Sequence, residues 1–226
     1  MKKIEIKDII KNKEAKVVPI IAIVIVVILI VAGIAIYFYY VSGSDNYWET
    51  KNEFGSWGQE ILLEFDDHSV KSVKSLADNE ILNVYYAGEK IIGYQYKLKG
   101  KASGSGWDSV EVDTNNYVIT VNSKDDSGNV YHSHAHSFTA VNSFAVDSQW
   151  HSVCSVSGGI TNVFPDTMSP GIYTMTFVPS GSLKYIGSPG GNWETGTLPA
   201  SVSLRVEVQS DQGVLSVTFT GEASTF

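Results

Sequence analysis

The feature that most constrains this chain is a run of 24 residues without a charge, from Val17 to Tyr40. Built as a helix at ~1.5 Å per residue, the run would reach ~36 Å. That length exceeds the hydrocarbon core of a bilayer, which is ~30 Å thick. Most of the run is Ile, Val, Leu or Ala, so its transfer into lipid is favourable. We therefore predict a single transmembrane helix over residues 17–40, with membrane lipid as its partner.

The lysines on either side of this run predict its orientation. Six lysines lie within residues 1–16, whereas Lys51 is the one lysine among the twenty residues that follow the run. Because positive charge is retained on the cytoplasmic side, we predict a cytoplasmic segment at 1–16 and an extracellular C-terminal part. A cleavable signal peptide is the alternative, and Val41-Ser42-Gly43 loosely fits its cleavage site. The apolar core of a signal peptide is normally ~7–15 residues, however, which favours a retained signal-anchor in the cell membrane.

The rest of the chain is acidic. Of the 16 basic and 24 acidic residues, 6 and 3 lie in residues 1–16, which leaves 10 and 21 for the part that follows the run. Nucleic-acid binding needs clustered Lys and Arg, so we expect no nucleic-acid partner. The single cysteine, Cys154, excludes a disulfide within the chain.

After about residue 59 the apolar residues recur with a period of two. In residues 201–208, Val202, Leu204, Val206 and Val208 alternate with polar residues, which predicts a strand with one buried face. The turn residues 210–213 then predict a β-hairpin over 201–220. Further strands are predicted at 59–65, 81–86, 91–99, 108–112, 117–122, 129–139, 150–156 and 171–178. Short strands separated by Gly-rich and Ser-rich turns are typical of a mainly β fold. We predict a linker at 41–58 and one antiparallel β-sandwich or jelly-roll domain at 59–226.

Two stretches resemble known families. Residues 13–24, continuing to Tyr40, resemble the N-terminus of archaeal type IV pilin-like proteins. That resemblance implies cleavage by a membrane peptidase near Ala15 and self-assembly of the helix into a filament; an ordinary signal-anchor is the alternative. Residues 169–177 resemble the Pro-Gly-x-Tyr strand entry of extracellular β-sandwich domains, including archaeal membrane-tethered ones. This second resemblance implies a fold and does not by itself imply a function.

The residues with the clearest capacity for chemistry are three alternating histidines, His132, His134 and His136. In a strand they share one face at ~6.6–6.8 Å intervals, so two neighbours can converge on one Zn or Cu ion. A complete site needs a further ligand, for which His151, Asp125 and Asp126 are the candidates. Sensing of mild acid is a second interpretation, and a solvent-facing polar strand is a third.

The remaining residues that could carry chemistry fit structural roles better than catalytic ones. His151 and Cys154 are a conceivable base and nucleophile, but strand geometry places them on opposite faces. Asp125 and Asp126 fit a plain turn, and the five tryptophans fit core packing or a flat surface for a partner. We therefore predict a non-enzymatic cell-surface protein for binding, adhesion or envelope structure, with a protein or glycan partner and no cofactor. A pilin-like filament subunit is the alternative.

Overall fold

The computed structural model describes residues 47–74, 89–103, 106–211 and 213–226. The predicted segments 1–16 and 17–40, the first part of the predicted linker and the predicted strand 81–86 lie outside these residues. Within them the chain forms one 3₁₀ turn, Ile160–Asn162, and twelve strands. The strands are β1 (Trp48–Asn52), β2 (Gly55–Phe65), β3 (Val70–Ser72), β4 (Lys90–Ala102), β5 (Ser109–Lys124), β6 (Val130–Ser137), β7 (Val141–Ala145), β8 (His151–Gly159), β9 (Gly171–Ser188), β10 (Glu194–Gly196), β11 (Val202–Asp211) and β12 (Val214–Thr225).

All twelve strands belong to one antiparallel sheet, in the order β1-β2-β4-β12-β11-β9-β5-β6. Four shorter pairings branch from this order, since β3 pairs with β2, β7 with β5, β8 with β4 and β10 with β9. The period-two pattern explains the strands, because alternate residues turn to the core. In β11 the four predicted apolar residues are all buried, which confirms that alternation. The hairpin of β11 and β12 is confirmed as well.

The sheet curls back on itself around a shared core. The hydroxyl oxygens of Tyr96 in β4 and Tyr117 in β5 lie 2.6 Å apart, although three strands separate β4 from β5 in the sheet order. In a flat sheet at ~4.8 Å per strand those two strands would be ~19 Å apart. The rings of Phe54 and Tyr185, with centres 4.7 Å apart, bridge the same core. One half of the sheet therefore packs face to face on the other half.

The predicted fold class, a transmembrane helix followed by a β-sandwich or jelly roll, is wrong as stated. The two halves are one hydrogen-bonded sheet rather than two separate layers, since β12 pairs with β4 through Val217–Ile91 and Thr218–Lys90. No helix among the described residues is long and apolar enough to cross a bilayer. The mainly β character of residues 59–226 is observed.

The sheet also begins earlier than residue 59. Strands β1 and β2 pair in register from Trp48–Gln59 to Asn52–Gly55, within the segment predicted to be a linker. Trp57 is completely buried in the core. Aromatic residues that follow an apolar run are therefore core residues here, and the β domain includes residues 48–58.

Candidate functional site

The structure brings two of the three predicted histidines together. The rings of His134 and His136 lie 4.6 Å apart between centres, edge to face, and His132 is exposed. The Nε2 atom of His136 lies 3.0 Å from the hydroxyl oxygen of Tyr94, which is a hydrogen bond. Burial, and then the neighbouring His134, lower the pKa of His136. In the described parts of the chain, no three or more His, Cys, Asp or Glu side chains are grouped to hold a metal ion.

Two of the three predicted further ligands, His151 and Asp125, are engaged elsewhere, and the third, Asp126, is exposed. The Nε2 atom of His151 pairs with Oδ1 of Asp147 at 2.7 Å. Asp125 accepts hydrogen bonds from the backbone N–H groups of Ser127 and Asn129 within its own turn. The hydrogen bond from the Asn129 side chain, more than any other contact, lowers the pKa of Asp125. These contacts stabilise the local turns in which His151 and Asp125 lie.

The structure places Cys154 and His151 in different surroundings. Cys154 is buried, and burial raises the pKa of its thiol to about 12. A reactive cysteine needs the thiolate form near neutral pH, which the burial of Cys154 disfavours. The ring of His151 stacks on Phe144, with centres 5.5 Å apart.

Four of the five tryptophans pack against other residues, and one is largely exposed. Trp107 lies over Gly187, where an added Cβ would come 1.8 Å from its ring, and Trp150 lies over Gly58 in the same way. Glycine at those two positions is therefore required by the ring that covers it. Trp193, at 48% exposure, is the most open of the described tryptophans, and the other four are packing residues.

A groove on the outer face of the sheet meets the requirements of a binding site better than the histidines, Cys154 or the tryptophans do. Strand register places Val70 of β3, Glu64 of β2, Gly93 of β4 and Gly159 of β8 side by side. The next row on this face is Leu62, Gln95 and Ser157. These residues line a cavity of about 480 Å³ on the side turned away from the core. We name it the Gly93–Gly159 groove.

The floor of the groove consists of two paired glycines, and the fold does not require the second of them. Gly159 has an extended backbone, with φ −71° and ψ 148°, which any residue adopts. A Cβ at this position would meet nothing closer than the hydroxyl oxygen of Thr161, at 3.8 Å. At Gly93 a Cβ would lie 3.3 Å from a Glu64 carboxylate oxygen and from the Gly158 carbonyl oxygen. Glycine weakens a strand, and a glycine in a strand often marks a bulge, a tight bend or a site where a ligand or another backbone approaches closely.

The walls of the groove combine polar and apolar groups. Glu64 contributes a carboxylate. The side chains of Gln95 and Ser157 add an amide and a hydroxyl, and the amide donates to the hydroxyl over 3.4 Å. Val70 and Ile92 are exposed by 56% and 37%, respectively, and form the apolar part. Ile92 is turned outward because the ladder between β2 and β4 is irregular at that point.

Few features of the sequence indicated this groove. Its lining comes from four strands, and no single segment contributes more than a few neighbouring residues. The available signals were Gly93 inside the predicted strand 91–99 and the pair Gly158-Gly159 at a strand end. An isolated glycine in a strand pattern suggests close backbone approach, but such a signal does not reveal which strands lie together.

Comparison with known proteins adds no family assignment. No protein-family model, curated protein or solved structure matches the chain. The geometry of the described residues therefore carries the functional argument.

Proposed function

We propose that this chain is a membrane-attached surface protein whose β domain binds a saccharide in the Gly93–Gly159 groove without transforming it. The observation that carries the proposal is the open floor at Gly159, where the fold tolerates a side chain and the sequence supplies none. The membrane attachment rests on the apolar run at residues 17–40 and the lysines before it.

The chemistry of the walls favours a ligand rich in hydroxyl groups. A carboxylate, an amide and a hydroxyl can each pair with sugar hydroxyls, while Val70 and Ile92 suit the C–H face of a sugar ring. An extended peptide fits less well, because strand addition needs free backbone N–H and C=O groups. At this floor Gly93 and Gly159 are paired strand residues whose backbones belong to the ladder between β4 and β8.

The same groups favour binding over catalysis. Hydrolysis of a glycosidic bond ordinarily uses two carboxyl groups that flank the bond. Glu64 is the one carboxylate among the residues that line the groove. Tyr94, the other ionisable residue in the lining, is buried, and burial raises its pKa to about 12. The groove therefore offers orientation and hydrogen bonding to a ligand, and it offers no acid–base pair.

A panel of immobilised glycans, probed with the full chain in detergent micelles, tests this function. We expect selective binding to one group of neutral saccharides. The change Glu64→Gln should weaken that binding about tenfold, since hydrogen bonds to a charged group contribute ~1.5–3 kcal/mol. Glu111→Gln, at an exposed position on β5, is the matched control and should leave binding unchanged.

Two results would contradict the proposal. One is a panel without selective binding by a folded chain. The other is equal weakening by Glu64→Gln and Glu111→Gln, which would indicate a general charge effect rather than a contact in the groove. Binding to extended peptides in place of glycans would retain the groove as a site and overturn the saccharide assignment.

A further inference from the structure

Among the described strands, β6 lies at one end of the sheet order and pairs with β5 alone. Its eight residues, Val130–Ser137, include no Asp, Glu, Lys or Arg. An uncharged edge strand of this length can pair with another strand, and proteins usually protect such an edge with charge, proline or a short strand. Strand β6 therefore presents an open edge, which we name the β6 edge.

The register identifies which backbone groups are open. The N–H of Phe138 donates to the carbonyl of Tyr117, so these two residues form a hydrogen-bonded pair of the antiparallel ladder. Bonded and non-bonded pairs alternate, and the next pairs are Val118–Ser137 and Ile119–His136. The N–H and C=O groups of Ser133, Ala135 and Ser137 consequently point away from β5. All three residues are exposed.

Other edges of the sheet are better protected. Strand β1, at the opposite end of the order, has five residues that include Glu49 and Lys51. Strand β8 is also uncharged, but the carbonyl of Val153 accepts a hydrogen bond of 2.6 Å from the side chain of Asn142. Among the long edges described, β6 combines length, neutrality and small outward residues.

We propose that the β6 edge pairs with the β6 edge of a second copy of this chain, in an antiparallel dimer centred on Ala135. The open groups of Ser133, Ala135 and Ser137 are placed symmetrically about Ala135, so the same edge of a second copy is complementary to it. The formal net charge of −8 opposes contact between two copies at charged surfaces, whereas the uncharged β6 edge brings no like charges together. A two-fold axis also makes the contact self-complementary, as in most homodimers.

The register of this dimer follows from the open groups. With Ala135 facing its counterpart, Ser133 of one copy faces Ser137 of the other. This is the symmetric register that pairs the N–H and C=O groups of all three open residues. The small side chains of Ser133, Ala135 and Ser137 allow the strands to approach without a clash. The sheet then continues from β5 and β6 of one copy into β6 and β5 of the other.

Cysteine crosslinking of the full chain in detergent micelles tests the register. Across a hydrogen-bonded antiparallel pair the Cα atoms are ~5.5 Å apart, within the range for a disulfide. Ala135→Cys should therefore form a covalent dimer under mild oxidation. Ser133→Cys alone should not, whereas a mixture of Ser133→Cys and Ser137→Cys chains should. The native Cys154 is buried and supplies a low background.

Sedimentation of uncrosslinked protein gives the second readout. The parent chain should sediment as a dimer, and Ala135→Lys, which opposes two ammonium groups across the axis, should convert it to a monomer. Ser143→Lys, at an exposed position on β7, adds the same charge elsewhere and should leave the dimer intact. A monomeric parent chain, a dimer that survives Ala135→Lys, or crosslinking by Ser157→Cys of β8 in place of Ala135→Cys would each overturn the proposal.

Discussion

Gly159 has no side chain, although its extended backbone conformation is one that any residue adopts. We therefore expect that a side chain added at this position stabilises the fold and, by filling the floor of the groove, weakens binding. Gly159→Ala should raise the free energy of unfolding by about 0.5–1 kcal/mol, because alanine reduces the entropy of the unfolded chain where the native backbone accepts it. Gly187→Ala should lower it, since the new Cβ would lie 1.8 Å from the Trp107 ring. Urea denaturation of both variants measures the difference, and a destabilising Gly159→Ala would refute this description of the groove floor.

A second prediction at the residue scale concerns alkaline pH. Burial raises the pKa of Cys154 from 9.0 to about 12 and that of Tyr94 from 10.0 to about 12. A raised pKa means that the folded state holds its proton more tightly than the unfolded state. The stabilising contribution is therefore complete below pH 9 and is lost as the pH rises from 9 to 12.

Urea denaturation at pH 8, 10 and 11 measures this loss. We expect the free energy of unfolding of the parent chain to fall across the series. Cys154→Ala should show a smaller fall between pH 8 and 10, where the thiol is the first of these two groups to ionise in the unfolded chain. A constant free energy of unfolding from pH 8 to 11 would contradict the burial of both groups.

At the scale of elements, the contact between the two halves of the sheet includes a buried pair of hydroxyl groups. Tyr96 and Tyr117 are both fully buried, and their hydroxyl oxygens are 2.6 Å apart. Tyr96→Phe should destabilise the protein by ~1–3 kcal/mol, since it leaves the Tyr117 hydroxyl without that partner. The double variant Tyr96→Phe/Tyr117→Phe should cost less than the sum of the single changes, because it removes both polar groups.

A double-mutant cycle measured by thermal or urea unfolding gives the coupling free energy of this pair. Gln59 is the other polar neighbour, with its Oε1 at 3.5 Å from the Tyr96 hydroxyl. Strictly additive losses would mean that the two hydroxyls do not depend on each other, contrary to the observed contact across the core.

The elements themselves were largely predictable, because period-two alternation is a local property of the sequence. Residues 202–208 and the turn near residue 212 predicted the hairpin of β11 and β12. Strand β9 extends to Ser188, however, well beyond the predicted 171–178, since nothing in its local pattern marks an end. Strand β7 was not predicted, because Phe144 is its one buried residue.

Pairing between distant strands could not be predicted in the same way. Strand β12 pairs with β4 through two residue pairs that are far apart in sequence. This pairing makes one continuous sheet, whereas the alternation of the sequence predicted two separate layers. The same limit applied to the sites. The spacing of the three histidines was visible, but the Tyr94 partner of His136 comes from another strand. The groove required four strands to be placed before any of its residues could be recognised.

For the whole molecule, the charge and apolar patterns predict that the full chain is an integral membrane protein. After lysis it should remain in the membrane fraction through high salt and alkaline carbonate, and detergent should release it. Placing lysine at Val26 and Leu29 should weaken this retention, since each charge near the membrane centre costs ~2.5–3.5 kcal/mol. The same pair of changes at Val130 and Val141, which are exposed on the sheet, is the control. Recovery of the parent chain in solution without detergent would contradict membrane attachment.

The central claim is that the Gly93–Gly159 groove binds the ligand, and the affinity of Gly159→Val for the best saccharide of the panel tests it most directly. Valine would fill the floor while favouring the strand, so we predict binding weakened about tenfold or more, with an unfolding midpoint unchanged or higher. Ser155→Val, which places the same valine side chain on the same face of β8 outside the groove, should keep the parental affinity. Parental affinity in a folded Gly159→Val protein would contradict the claim.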